Sequence, residues 1–224
     1  MKSRVWFGRL AATMLVLTTF AASARAAFNI VVNFTSTPTA SQAAAFASAE
    51  ATWESLISGY LTPFAQTNFT SLPISASITP IDGVGGTLGS AGPNTAQSDA
   101  TYIIARSGSM QFDSADTTGL EANGTFDDVI LHEMAHVMGF GTLWELNDVV
   151  SAARINGEPT EYIGVNALAA WRTEYGQTGA TFVPIEQGGG PGTRGGHWAE
   201  VTPNVGGTTD TQGRPLTREL MTGF

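Results

Sequence analysis

His132-Glu133-Met134-Ala135-His136, running on into Val137-Met138-Gly139-Phe140-Gly141, constrains this chain more than any other stretch. On a helix, residues four apart share a face, so both imidazoles can point at one metal ion. Glu133 lies beside them, placed to reach a water on that ion. Two histidines and a glutamate at this spacing form the zinc-hydrolase arrangement. The helix is marked at both ends. Thr125-Phe126-Asp127-Asp128 resembles a capping box, with acids in the first turn where the helix dipole favours them. Gly139 suits the left-handed residue that ends a helix. Phe126, Val129, Ile130, Val137 and Met138 give apolar flanks and predict a mostly buried helix. A buried face does not carry two imidazoles and a carboxylate without partners.

The histidine count narrows the ligand set. The chain has three histidines, and the one outside the motif is His197. Catalytic zinc takes three protein ligands and a water, so all three histidines are expected on one ion. Two zinc-peptidase patterns compete for the third position. In the gluzincin pattern a downstream glutamate serves, and Glu158, Glu161 and Glu174 are candidates. In the metzincin pattern the helix stops at a glycine and a third histidine binds from outside it. The compact H-E-x-x-H-x-x-G-x-x-H form would place that histidine at 142, where this chain has Thr142. His197 is the histidine that remains.

Around the motif, the pattern predicts a mixed α+β chain. Residues 28–34 and 72–79 are β-branched or alternating and predict strands, and 101–106 and 109–113 predict two more, the last at a sheet edge. Residues 40–58 carry Phe46, Ala49, Trp53, Leu56 and Ile57 at helical spacing, with Glu50 and Glu54 as a solvated face. Residues 83–93 predict a glycine-rich loop, without the lysine or spacing of a phosphate loop. Asp113, Asp116 and Glu121 cluster ahead of the motif helix and are a calcium candidate, although without EF-hand spacing. Downstream, 161–175 predict a helix, 182–186 an extended piece, and 188–196 a glycine-rich approach to His197.

The N-terminus has the organisation of a signal peptide. Lys2, Arg4 and Arg9 precede an apolar run from Leu10 to Ala22, too short for a comfortable membrane span. Ala24-Arg25-Ala26 is an A-x-A site, predicting cleavage before Ala27 and a secreted or periplasmic product without stable membrane insertion. In residues 27–224, six arginines and no lysine stand against 19 acids, a net charge of −13. Such a surface repels nucleic acid and anionic membrane. There is no cysteine, hence neither a disulfide nor a thiolate ligand.

The sequence resembles the leishmanolysin-type metzincin peptidases. The resemblance rests on His132 to Phe140, a long insertion, Gly196-His197-Trp198, and Glu219-Leu220-Met221, and covers roughly 127–221. It implies a metzincin-like α+β fold: a twisted mixed sheet, an active-site helix below it, and a loop-rich C-terminal subdomain. The subdomains would divide at about 141/142 within one catalytic domain, 27–224. It implies His132, His136 and His197 as zinc ligands, Glu133 as catalytic base and acid, and Met221 as the Met-turn residue. The implied activity is that of a secreted, monomeric zinc endopeptidase, which hydrolyses polypeptides with metal-activated water. An extended substrate would pair with the strand formed by Met110, Gln111, Phe112 and Asp113. The absence of cysteine departs from the disulfide-rich members of the family and excludes a cysteine switch. Metzincins continue into a helix beyond the Met-turn, so the expectation is either that the sequence is a fragment ending just after Met221 or that this protein lacks that support. The competing functions are a non-catalytic zinc-binding surface or adhesion module and a gluzincin-type peptidase.

Overall fold

The computed structural model describes residues 28–60, 69–99, 101–200 and 208–223; the expected signal segment, 1–26, lies outside them. The N-terminal half runs β1 (Ile30–Phe34), α1 (Ala40–Leu56), β2 (Leu72–Thr79), β3 (Gly89–Ser98), β4 (Ile103–Asp113), α2 (Ser114–Asn123) and α3 (Phe126–Met138). The sheet order is β1-β2-β4-β3, with β1, β2 and β4 parallel and β3 antiparallel to β4.

Alternation along the strands decides which face is covered. Leu72, Ile74 and Ala76 of β2 and Gly108, Met110 and Phe112 of β4 are buried, while Pro73, Ser75, Ser109 and Gln111 face out. Helices α1 and α3 lie on the buried face. Phe46 of α1 meets Phe112 and Phe126 edge-on, at centroid distances of 5.3 and 6.1 Å, and Phe112 meets Phe126 at 5.5 Å. Each such pair adds about 0.5–1.5 kcal/mol beyond area burial. The Trp53 indole N–H donates to the Leu131 carbonyl at 3.2 Å and ties α1 to the motif helix.

Several expectations are corrected here. Residues 89–93, expected in a loop, begin β3, because pairing with β4 holds a glycine-rich segment extended. The two short strands expected over 101–113 are one strand, β4, and it is interior rather than at an edge. It pairs with β2 on one side and β3 on the other. Met110, Gln111, Phe112 and Asp113 therefore have no free backbone edge for a substrate. Met110, Phe112 and Asp113 are buried, and among the described residues the free edge on that side belongs to β3.

Glu50 and Glu54 are not a solvated face. Their carboxylates accept the N–H groups of Val32 and Ile30 at 2.9 and 2.8 Å, blocking the outer edge of β1 against strand addition. The capping box expected at Thr125 is also absent, since the Thr125 side chain makes no cap hydrogen bond. A capping box forms instead at α1, between Thr39 and Gln42.

The C-terminal half is built from short pieces: β5 (Arg154–Ile155), β6 (Glu158–Pro159), β7 (Glu161–Tyr162), α4 (Val165–Glu174) and β8 (Val183–Pro184). Residues 161–162, expected in the helix, pair with β8 instead. A second apolar cluster forms here around Leu168, Trp171, Val183, Ala199 and Leu216.

Candidate metal centre

Helix α3 ends at Gly139, whose φ of 115° is a left-handed conformation. Its N–H reaches back to Ala135 and His136, and Phe140 N–H donates to the Ala135 carbonyl at 3.0 Å. This turn orients the His136 ring, because it brings the Phe140 carbonyl to 2.9 Å from His136 Nδ1. Thr142, the position a compact motif would give to histidine, donates its hydroxyl to the His136 carbonyl at 2.7 Å. It supports the helix end from which the second imidazole projects.

His197 reaches the helix through a close backbone contact. Gly141 has a φ of 72°, and a Cβ there would lie 2.4 Å from the Gly196 carbonyl oxygen. A side chain at 141 would force apart the turn after α3 and the residue before His197. The strand-like stretch around His197 is anchored on both sides: Glu186 N–H donates to the His197 carbonyl and Trp198 N–H to the Met221 carbonyl, each at 2.9 Å.

The three imidazoles converge. The Nε2 atoms of His132, His136 and His197 lie 2.9, 3.0 and 3.1 Å apart, and all three residues are buried. Each Nδ1 faces a backbone carbonyl: Leu220 for His132 at 2.7 Å, Phe140 for His136 at 2.9 Å, and Thr193 for His197 at 2.7 Å. A carbonyl can only accept, so every Nδ1 carries the proton and every Nε2 presents a lone pair. Three lone pairs at this separation have no hydrogen bond to share, and a cation between them resolves the repulsion. A tetrahedral ion with bonds of about 2.0–2.1 Å to nitrogen sets its donors about 3.3–3.4 Å apart, within a few tenths of an ångström of this triangle. Burial holds the rings neutral, lowering His132 to about 4 and His136 to about 3, and lowering His197 as well. The donor set therefore fits zinc.

Glu133 is buried on the same helix as His132 and His136, and its Oε2 has no hydrogen-bond partner among the described residues. Desolvation pushes its carboxyl up to about 8. Strand β3 passes close by: a Cβ at Gly89 would lie 2.9 Å from Glu133 Oε1. Met221 is buried, with its N–H donating to Glu219 Oε2 at 2.7 Å.

The competing glutamates lie elsewhere. Glu158 and Glu174 are exposed, and Glu161 accepts the Ser151 hydroxyl at 2.6 Å. The calcium candidate is not supported, because its carboxylates serve separate tasks. Asp113 accepts from Ala115, Asp82 and Gly83 N–H groups, which hold its carboxyl down at about 2. Asp116 accepts from Gly85 N–H, and Glu121 reaches Ser41 and Gln42 on α1. Among the described residues, the three histidines are the one cluster of metal-ligating groups. Sequence reasoning missed the carbonyls of Phe140, Thr193 and Leu220, since backbone acceptors leave no residue-type signal. It also missed Gly89, whose lack of a side chain was the available cue.

A mixed sheet over a histidine-bearing helix, with three convergent imidazoles and a buried glutamate, defines a metallohydrolase-type site. The family model for leishmanolysin peptidases matches residues 75–204, more than half of the chain, and the chain belongs to that family of zinc metallopeptidases. No curated protein matches the chain.

Proposed function

We propose that this protein is an exported zinc endopeptidase in which His132, His136 and His197 hold the metal and Glu133 moves the protons. The observation that carries this reading is the triangle of Nε2 atoms 2.9–3.1 Å apart, each ring fixed by a carbonyl at Nδ1, beside a buried Glu133 whose Oε2 has no partner among the described residues. Bound zinc supplies a Lewis acid and lowers the pKa of a water. Glu133, raised by desolvation, is tuned to take a proton near neutral pH at Oε2 and return it to a leaving amine. Met221 lies in the turn that supports His132, which agrees with a Met-turn role.

The substrate strand is reassigned to β3. It has the free edge, and at Gly89 it runs against Glu133. An extended polypeptide adding to β3 by backbone hydrogen bonds would place its scissile peptide at the glutamate. Two apolar clusters, one within 28–143 and one within 168–216, agree with N- and C-terminal subdomains of one catalytic domain, dividing near 141/142. Among the described residues no helix is long and apolar enough to cross a membrane. The basic and apolar segment ending in Ala24-Arg25-Ala26 supports export, and a monomer is the expected state.

Glu133→Ala tests the assignment. The variant should keep one zinc per chain and lose casein hydrolysis by about 10²–10⁴-fold. Full activity in this variant would refute the role of Glu133.

A further inference from the structure

The three ligand histidines are not supported alike. His136 and His197 are oriented by carbonyls four residues away, at Phe140 and Thr193. His132 is oriented by Leu220, 88 residues away in sequence. The carbonyl that sets its ring therefore belongs to a turn whose shape must be held independently. That turn has one carboxylate inside it. Glu219 Oε2 accepts the Met221 N–H at 2.7 Å, and the Glu219 carbonyl accepts the Thr222 hydroxyl at 2.9 Å and the Thr222 N–H at 3.3 Å. The peptide between Leu220 and Met221 is thus pinned at both ends: its N–H by the Glu219 carboxylate, its C=O by His132. An amide is planar, so fixing the N–H direction also fixes the opposite direction in which the carbonyl points.

We propose that Glu219 is a positioning residue for the metal centre: by holding the Met221 N–H it aims the Leu220 carbonyl at His132 Nδ1, and so sets the tautomer and rotation of that ligand. Without this acceptor, the N–H side of the 220–221 peptide is unheld, and the Leu220 carbonyl that keeps the His132 Nε2 lone pair on the metal is no longer aimed by it. Outer partners of this kind change metal affinity by about 10–100-fold. The Glu219 side chain also borders a cavity of about 180 Å³ shared with Trp171, Tyr175, Trp198 and Leu216, and burial raises its carboxyl while the Met221 N–H lowers it.

The proposal rests on the metallopeptidase reading, and the experiment separates the two. Zinc affinity of the full chain is measured by chelator competition for wild type, Glu219→Ala, Glu219→Gln and Glu219→Met, alongside the melting temperature of each metal-free protein. Glutamine keeps an oxygen acceptor at the same reach, whereas methionine keeps the volume without a comparable acceptor. The expected result is a loss of about 10–100-fold in zinc affinity for Glu219→Met and Glu219→Ala, with Glu219→Gln within a few-fold of wild type. Equal affinity in Glu219→Met and Glu219→Gln overturns the role of Glu219, even if Glu219→Ala does not fold. Failure of wild type to bind zinc overturns the metallopeptidase reading instead.

Discussion

The Leu220 carbonyl stands 2.7 Å from His132 Nδ1, across 88 residues of chain. An imidazole on the motif helix is thereby oriented from the C-terminal half. Its neighbour one turn on, His136, is oriented by the helix's own terminal turn, through Phe140. The motif helix alone therefore prepares one donor fully and the other only by its spacing.

Replacing His197 by alanine should lower zinc affinity by more than the roughly 10–100-fold expected from losing an outer partner. Glu158→Ala and Glu161→Ala should leave it unchanged, because Glu158 is exposed and Glu161 is engaged with Ser151. Chelator competition measures all three. The reverse ranking would return the third ligand to a glutamate.

Thr142→Val keeps the shape of the side chain and removes the hydroxyl that serves the His136 carbonyl. Stability should fall by about 0.5–1.5 kcal/mol, the net worth of one such hydrogen bond. Urea unfolding of the zinc-loaded protein would register it. A midpoint equal to wild type would mean that the Gly139 N–H, 3.2 Å away, satisfies the carbonyl without the hydroxyl.

Glu133→Gln should stabilise the metal-free protein at pH 7–8. The Glu133 carboxyl titrates near 8 in the fold against an ordinary 4.5, so the unfolded chain releases its proton first as pH rises. Its contribution is fully present below about 4.5 and is lost as pH climbs towards 8. Glutamine, always neutral, escapes that loss. Melting temperatures of chelator-treated protein should favour the variant by a few degrees at pH 8, with the advantage shrinking to nothing by pH 4.5. A constant difference across that range would exclude Glu133 as its source.

Gly141→Ala combines a left-handed backbone with a collision against the Gly196 carbonyl, whereas Gly157→Ala, at a φ of 90°, meets nothing within 4 Å. Both should lose about 1 kcal/mol or more from the backbone conformation. Gly141→Ala alone should also weaken zinc binding, because it displaces the segment that delivers His197. Equal zinc affinity in the two variants would mean that the Gly141 contact does not set that ligand.

The helix and its histidine cluster were legible because they rest on side-chain identity and spacing. His132 and His136 are four apart, and His197 is the remaining histidine, so counting was enough to expect the trio that the fold brings together. Strand β3 was not legible. Gly89, Gly92 and Pro93 all read as loop, and only pairing with β4 makes them extended. The interior place of β4 was hidden for the same reason, since an unseen neighbour looks like an edge. Glu50 and Glu54 deceived differently: a helix pattern shows which residues avoid the apolar face, but not that a strand edge needs acceptors there. At Thr125 the right residue types stood at the right spacing, yet its backbone, at φ −116° and ψ 0°, leaves the side chain without a cap bond.

The order in which the donors occur along the chain has a consequence in time. During synthesis the two helix histidines exist long before the rest of their site. His197 follows His136 by 61 residues, and the carbonyl that aims His132 follows it by 88. A growing chain that has reached residue 192 holds the whole H-E-x-x-H signature but only two of the three nitrogen donors, and its first imidazole is not yet aimed. The three-imidazole cluster and the aim of its first ring exist together only once residue 220 has been made and folded back.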